Sequence, residues 1–135
     1  MADARMSRVL AVDPGEVRLG LAVSDPTGAI ARPLEVINHK SRQEDARRIA
    51  RTAAEQSVET VVVGIALDQE GEVGPQARRA LRLVEALKLE TKLPIETWDE
   101  SGTTAAARAM GGTSENLDAR AAAVILQEFL DARNR

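Results

Sequence analysis

The chain has no cysteine and no tyrosine, and among its 135 residues it carries one histidine, His39, one tryptophan and one phenylalanine. Each scarcity removes a class of chemistry. Without cysteine there are no disulfides, thiolate zinc sites or cysteine nucleophiles. A single histidine argues against a histidine-rich metal centre and a Ser-His-Asp triad. Aromatic residues at 1% leave no stacking platform for bases of the kind used by single-strand binders. No apolar run is long enough to span a bilayer, and "MADARMSRVL" leads into strand-like sequence without a signal peptide. A cytoplasmic protein with no membrane partner is expected.

Hydrophobic residues at 44% and charged residues at 29% are an ordinary globular balance. The length predicts one domain, residues 1–135, with room for a proper core. The formal net charge of −3 runs against the basic balance usual in nucleic-acid proteins. With thiolates absent and histidine scarce, carboxylates are the main metal ligands left. Oxygen-only ligation favours Mg2+ or Mn2+.

Along the chain, Arg8 to Val12 reads as a buried strand ending in a tight turn at Asp13-Pro14-Gly15. Arg18 to Ser24 reads as its hairpin partner, and Pro33 to Ile37 as a weaker third strand. Ser41 and Glu44 have capping-box spacing, followed by Ala46, Ile49, Ala50 and Ala53 at helical intervals. Glu59 to Ile65 is β-branched and uncharged after its first residue, as an interior parallel strand should be. A glycine-bearing loop opens a second helix, with Ala77, Leu81, Val84 and Leu87 or Lys88 as its apolar stripe. A fifth strand spans Pro94 to Trp98. A short alanine-rich helix is expected from Thr104 to Gly111-Gly112, and a last helix from Leu117 to Arg133. This order, β-β-β-α-β-α-β-α-α, predicts a ribonuclease-H-like α/β fold: a mixed five-stranded sheet, three antiparallel strands then βα units, with helices on both faces.

Three acids stand where these elements begin or end: Asp13, Glu100 with its neighbour Asp99, and Asp118. Each has an ordinary structural explanation. Asp13 suits a turn, Asp99 and Glu100 would favour the dipole of a helix capped by Thr103, and Asp118 would follow an Asn116 cap. Yet Asp118 shares a helical stripe with Ala122, Ile125 and Phe129, where an acid is harder to read as merely solvated. Their joint placement points to a divalent-metal site acting on phosphate esters. The Gly64 to Gly74 loop could cradle a phosphate through its N–H groups, or be an ordinary connection. The arginines at 42, 47, 48 and 51 and at 78, 79 and 82 read most simply as solvated helix faces. His39 reads as an exposed loop residue and Trp98 as a core residue beside the site.

The stretches "DPGEVRLGLAVSD", "VVVGIALDQEGEVGPQA", "WDESGTT" and "LDARAAAVILQEFLD", in that order, resemble the YqgF family, also called RuvX. This bacterial ribonuclease-H-like family is related to Holliday-junction resolvases, and the resemblance runs from about Arg8 to Asp131. It implies a metal-dependent nuclease, a hydrolase of phosphodiester bonds, processing the 5′ end of pre-16S ribosomal RNA in ribosome biogenesis. It also implies Asp13, Glu100 and Asp118 as catalytic residues and metal ligands. Arg18 and the N–H groups of the Gly71 to Gly74 loop are the candidates for holding substrate phosphates. The sequence departs from the family pattern at Val17, where lysine is usual, and at Ser101, where arginine is usual. It departs again in "GGTSENLD", which lacks the usual basic residues before the final acid. The expected partner is structured RNA, with branched DNA as the substrate of a resolvase alternative, and the chain acts as a monomer or homodimer. An alternative of another class is a catalytically silent factor that binds RNA or protein.

Overall fold

The computed structural model describes residues 8–100 and 114–134. Its elements are β1 (Val9–Pro14), β2 (Arg18–Ser24), β3 (Ala31–Asn38), α1 (Arg42–Glu55), β4 (Thr60–Ile65), α2 (Pro75–Glu90), β5 (Ile95–Asp99) and α3 (Ser114–Arg133). The helix expected from Thr104, with Thr103 as its cap, lies outside the described residues. One five-stranded sheet is ordered β3-β2-β1-β4-β5. The hairpin pairs β1–β2 and β2–β3 are antiparallel, while β1–β4 and β4–β5 are parallel. β1 lies at the centre of this order.

The unbroken apolar runs of β1 and β4 follow from burial on both faces. Strand periodicity sends Leu10, Val12, Leu19, Leu21, Val23, Val61 and Val63 to one face, where α1 and α2 cover them with Ile49, Leu83 and Leu87. The opposite set, Val9, Ala11, Ala22 and Val62, packs against Ala122, Leu126, Phe129 and Leu130 of α3. The two faces differ in side-chain size. Leucines and valines dominate under α1 and α2, whereas alanines recur under α3 and let that helix sit close to the strands. Trp98 is half-buried at this second face, edge-on to Phe129 with ring centroids 6.0 Å apart, and its Nε1–H donates to Glu128 Oε1 at 3.1 Å.

Local details refine the sequence reading. Ser41 caps α1: the Glu44 N–H donates to its Oγ at 3.1 Å. The Glu44 carboxylate accepts from the same hydroxyl at 3.3 Å instead of reaching back to the cap's own N–H as a complete capping box would. On α2 the buried stripe is Ala77, Ala80, Leu83, Val84 and Leu87, and Leu81 is 37% exposed. The stripe turns toward Ala80 and Leu83 where α2 meets α1 and the sheet, which leaves Leu81 on its rim. Two further corrections bear on the acids. β1 continues through Asp13, which pairs with Gly20 inside the ladder and is not a turn residue. α3 begins at Ser114, so Asn116 lies within the helix and does not precede it.

The β2–β3 connection is organised by Asp25. Its carboxylate accepts from the Thr27 hydroxyl, from the N–H groups of Ala29 and Ile30, both at 2.9 Å, and from the Thr27 N–H at 3.3 Å. These donors, the Thr27 hydroxyl foremost, hold the Asp25 carboxyl well below the usual carboxylate range. A depressed folded-state pKa contributes stability that is complete above the unfolded value, about 3.9, and is lost as pH falls below it toward the folded value. Replacing Asp25→Ala should therefore lower the unfolding midpoint at pH 5 to 7 by a constant amount. Thermal unfolding scanned toward pH 3 should show that difference shrinking; a gap that widened on acidification would contradict the assignment.

Candidate active site

Asp13 lies near the carboxyl end of the central strand and is 2% exposed. Its neighbours in the sheet are glycines. Gly20 of β2 is its direct antiparallel partner, and Gly64 of β4 stands one residue beyond the parallel pair Val12–Val63. Strand alternation places Asp13, Gly20 and Gly64 on the face covered by α3, in line with Ala11, Ala22 and Val62. The two missing side chains are what admit the other acids.

At Gly20, a Cβ would stand 1.9 Å from the main-chain oxygen of Asp118, so the α3 backbone seats directly on this residue. At Gly64, a Cβ would come within 2.4 Å of Glu100 Oε2 and 2.7 Å of Ile125 Cδ1. The Glu100 N–H donates to Ile65 O at 2.9 Å, extending the β4–β5 ladder past the strand end, and its carboxylate folds inward over Gly64. Glu100 is 6% exposed, whereas Asp99 points to the exposed side of the strand end.

Asp118 comes from α3. Its Oδ2 accepts from Arg18 Nε at 3.0 Å, a partly buried charge-assisted contact joining β2 to the helix. Arg18 was expected to hold a substrate phosphate. The structure places it against Asp118, with that nitrogen engaged by the carboxylate.

A cleft of about 240 Å³ opens at this end of the sheet, and its lining includes Asp13, Glu16, Gly64, Arg79, Glu100 and Asp118. The three predicted acids are thus brought together from β1, the end of β5 and α3. Gly71 and Gly74 are not brought to this cleft. The Gly71 N–H donates to Asp68 O at 2.9 Å, and the Asp68 carboxylate accepts from the N–H groups of Glu70 and Glu72. The loop turns its donors onto its own aspartate. Sequence reasoning missed the structural roles of Gly20 and Gly64 and the presence of Arg79 at the rim. The alternation of glycine and alanine with leucine and valine in "LGLAV" was the signal for the first of these.

The donor set is oxygen-only and suits a hard divalent cation. Burying two carboxylates beside each other is costly without a compensating positive charge, which also suits a cation. As placed, no group of three or more His, Asp or Glu side chains among the described residues closes into a metal-holding cluster. No helix among the described residues is long and apolar enough to cross a membrane.

The fold is ribonuclease-H-like with three acids collected at the end of the central strand, the architecture of a family of nucleases, hydrolases of phosphodiester bonds. The family model of RuvX, described as Holliday junction resolvase, matches residues 7–132, and the chain belongs to this family. Two relatives named "Putative pre-16S rRNA nuclease" align along almost the whole chain. The one from Desulforamulus reducens is 39% identical over 133 residues, covering 93% of this chain and 97% of the relative. That from Anaeromyxobacter sp. is 42% identical over 135 residues, covering 94% and 98%. Among solved structures, T. thermophilus RuvC in complex with Holliday junction substrate has the same fold. Its TM-score is 0.61 at 18% identity, covering 95% of this chain and 96% of that one.

The glycine pair generates a two-part prediction. Gly20→Ala meets helix backbone and should destabilise the protein by about 1–3 kcal/mol or more through overpacking, read as a lower unfolding midpoint. Gly64→Ala meets mainly the flexible end of Glu100, so most of its effect should fall on the site. Moving that carboxylate by about 1 Å should lower turnover on the order of a hundredfold. Equal stability losses in the two variants, with turnover kept in Gly64→Ala, would refute this division.

Proposed function

We propose that the chain is a metal-dependent nuclease that processes the 5′ end of pre-16S ribosomal RNA in the cytoplasm. The observation that carries this reading is the convergence of Asp13, Glu100 and Asp118 on one cleft at the end of the central strand. The relatives that match the chain almost end to end supply the RNA.

Asp13, Glu100 and Asp118 would hold Mg2+ or Mn2+, the cations that oxygen ligands select. Such an ion, when bound, polarises phosphoryl oxygens and lowers the pKa of water. The protein's own contribution is placement. The sheet fixes Asp13 through its ladder pairing with Gly20, and Gly64 leaves the space into which Glu100 folds. Arg18 engages one oxygen of Asp118 and so orients the carboxylate, as an outer partner of a ligand does. Arg79 brings positive charge to the rim, where its Nη2 donates to Glu16 Oε1 at 3.2 Å. Glu16 is largely solvent-exposed, so a substrate phosphate can compete for that guanidinium at little cost.

A second reading, cutting of four-way DNA junctions, is favoured by the family's description and by the fold shared with RuvC. It requires two copies of the site related by a two-fold axis.

The test is incubation with Mn2+ or Mg2+ and two labelled substrates, a pre-16S 5′ leader RNA and a four-way DNA junction. Leader cleavage is expected, and Asp13→Asn should reduce it to background while circular dichroism stays that of the folded protein. Paired, symmetric junction cuts by a dimer would replace the RNA reading with the resolvase. Binding of the leader without cleavage of either substrate would make the chain a silent RNA-binding factor.

A further inference from the structure

A second, larger concavity of about 540 Å³ lies between α1 and α2, and its lining includes Arg42 from α1 and Arg78, Arg79 and Arg82 from α2. It is continuous with the catalytic cleft, since Pro14, Gly15 and Arg79 line both. We infer that this groove is a binding track for the phosphodiester backbone of the nucleic-acid substrate, leading from the site of cleavage over the end of the sheet to the α1–α2 face. The inference rests on the nuclease reading and names where the substrate lies beyond the cleft.

Three observations carry it. First, most of the groove's arginines carry no carboxylate partner, Arg79 being the exception through Glu16 at 3.2 Å. Arg47 and Arg48, away from the groove, lie within ion-pair distance of Glu90 and Glu35, at 3.7 and 3.3 Å. Arg42 and Arg82, inside it, form no ion pair or side-chain hydrogen bond among the described residues, and both are exposed. Arg78 is tied only to the Val73 carbonyl, which leaves its charge uncompensated.

Second, the acid that faces the groove is already occupied. Asp45 is 4% exposed, and its carboxylate is engaged by His39 Nδ1 and by the Lys40 N–H at 3.1 Å. Four guanidinium groups therefore line a space whose one acidic residue is internally bonded, and only Arg79 among them is ion-paired, to the exposed Glu16, on a chain whose net charge is −3. Such segregation of positive charge makes an electrostatic footprint despite an acidic total.

Third, with one tryptophan and one phenylalanine, both in or beside the α3 core, the chain has no aromatic platform. Its grip on nucleic acid must then come from phosphate contacts, which are independent of sequence and strongly salt-dependent. The groove also answers the loss of basic residues at Val17, at Ser101 and in "GGTSENLD". Positive charge thinned around the acids is supplied from α1 and α2.

The test compares wild type with Arg42→Gln/Arg82→Gln, and with Arg47→Gln/Arg48→Gln as the off-groove control. Fluorescence anisotropy would report affinity for a labelled RNA hairpin and a four-way DNA junction, without added metal, between 50 and 200 mM salt. The groove pair should weaken binding on the order of tenfold and reduce the slope of log K against log salt by about one unit per arginine. In cleavage assays it should raise KM and leave kcat nearly unchanged. The control pair should alter neither affinity nor slope. Unchanged affinity and slope in the groove variant, equal loss in the control, or no salt-dependent binding by wild type would each overturn the inference. Weakened binding in a protein that cleaves nothing would sustain the groove while removing the nuclease reading, so the two fail separately.

Discussion

The site depends on how closely α3 can approach the sheet. For α3 to bring Asp118 to the cleft, its backbone must come almost onto the strands, and only residues without side-chain bulk permit that. Gly20 meets the main chain of Asp118, Gly64 yields to Glu100 and Ile125, and Ala11 and Ala22 continue the low surface along the strands. The opposite face carries leucine and valine and keeps α1 and α2 farther out. The sheet is thus built with one thick and one thin side, and the acids gather on the thin one.

The same geometry explains the division of charge. On the α3 side, the glycine gaps draw carboxylates inward, and two of them are nearly sequestered from water. On the α1–α2 side, Arg42 of α1 and Arg78, Arg79 and Arg82 of α2 line the space between the helices. Arg79 belongs to both regions. Acids suited to a cation and arginines suited to phosphates therefore lie at one end of the sheet. Arg18 is the exception: it bridges β2 to Asp118 and belongs to the acidic side.

Much of this was legible along the chain. Apolar runs, turn residues and helical spacing marked all five strands and the order in which they occur. The three acids stood out because each interrupts or terminates an apolar pattern. Less legible were the consequences of residues that are nearly featureless in isolation. Gly20 sits between two leucines and reads as a weak point in a strand. Its meaning depends on Asp118, nearly a hundred positions away. The Gly64 to Gly74 loop could be read as a phosphate cradle or as an ordinary connection, and only the hydrogen bonds of Asp68 show that the loop's N–H groups close on that aspartate. Leu81 was placed on the α2 stripe by spacing alone, whereas packing against α1 chose the adjacent phase.

What the sequence determined by itself is the local order of structure and the identity of the acids. Hydrophobic period, β-branching and turn chemistry act over a few residues and can be read from a few residues. What only the tertiary structure decided is which face each helix covers, how closely it sits, and which arginines look into a shared groove and which pair with a neighbouring glutamate. Those outcomes come from contacts between distant segments. Arg42 and Arg47 lie five positions apart on one helix, yet one lines a groove beside the cleft and the other lies against Glu90. Nothing local distinguishes them; the packing of α1 on α2 does.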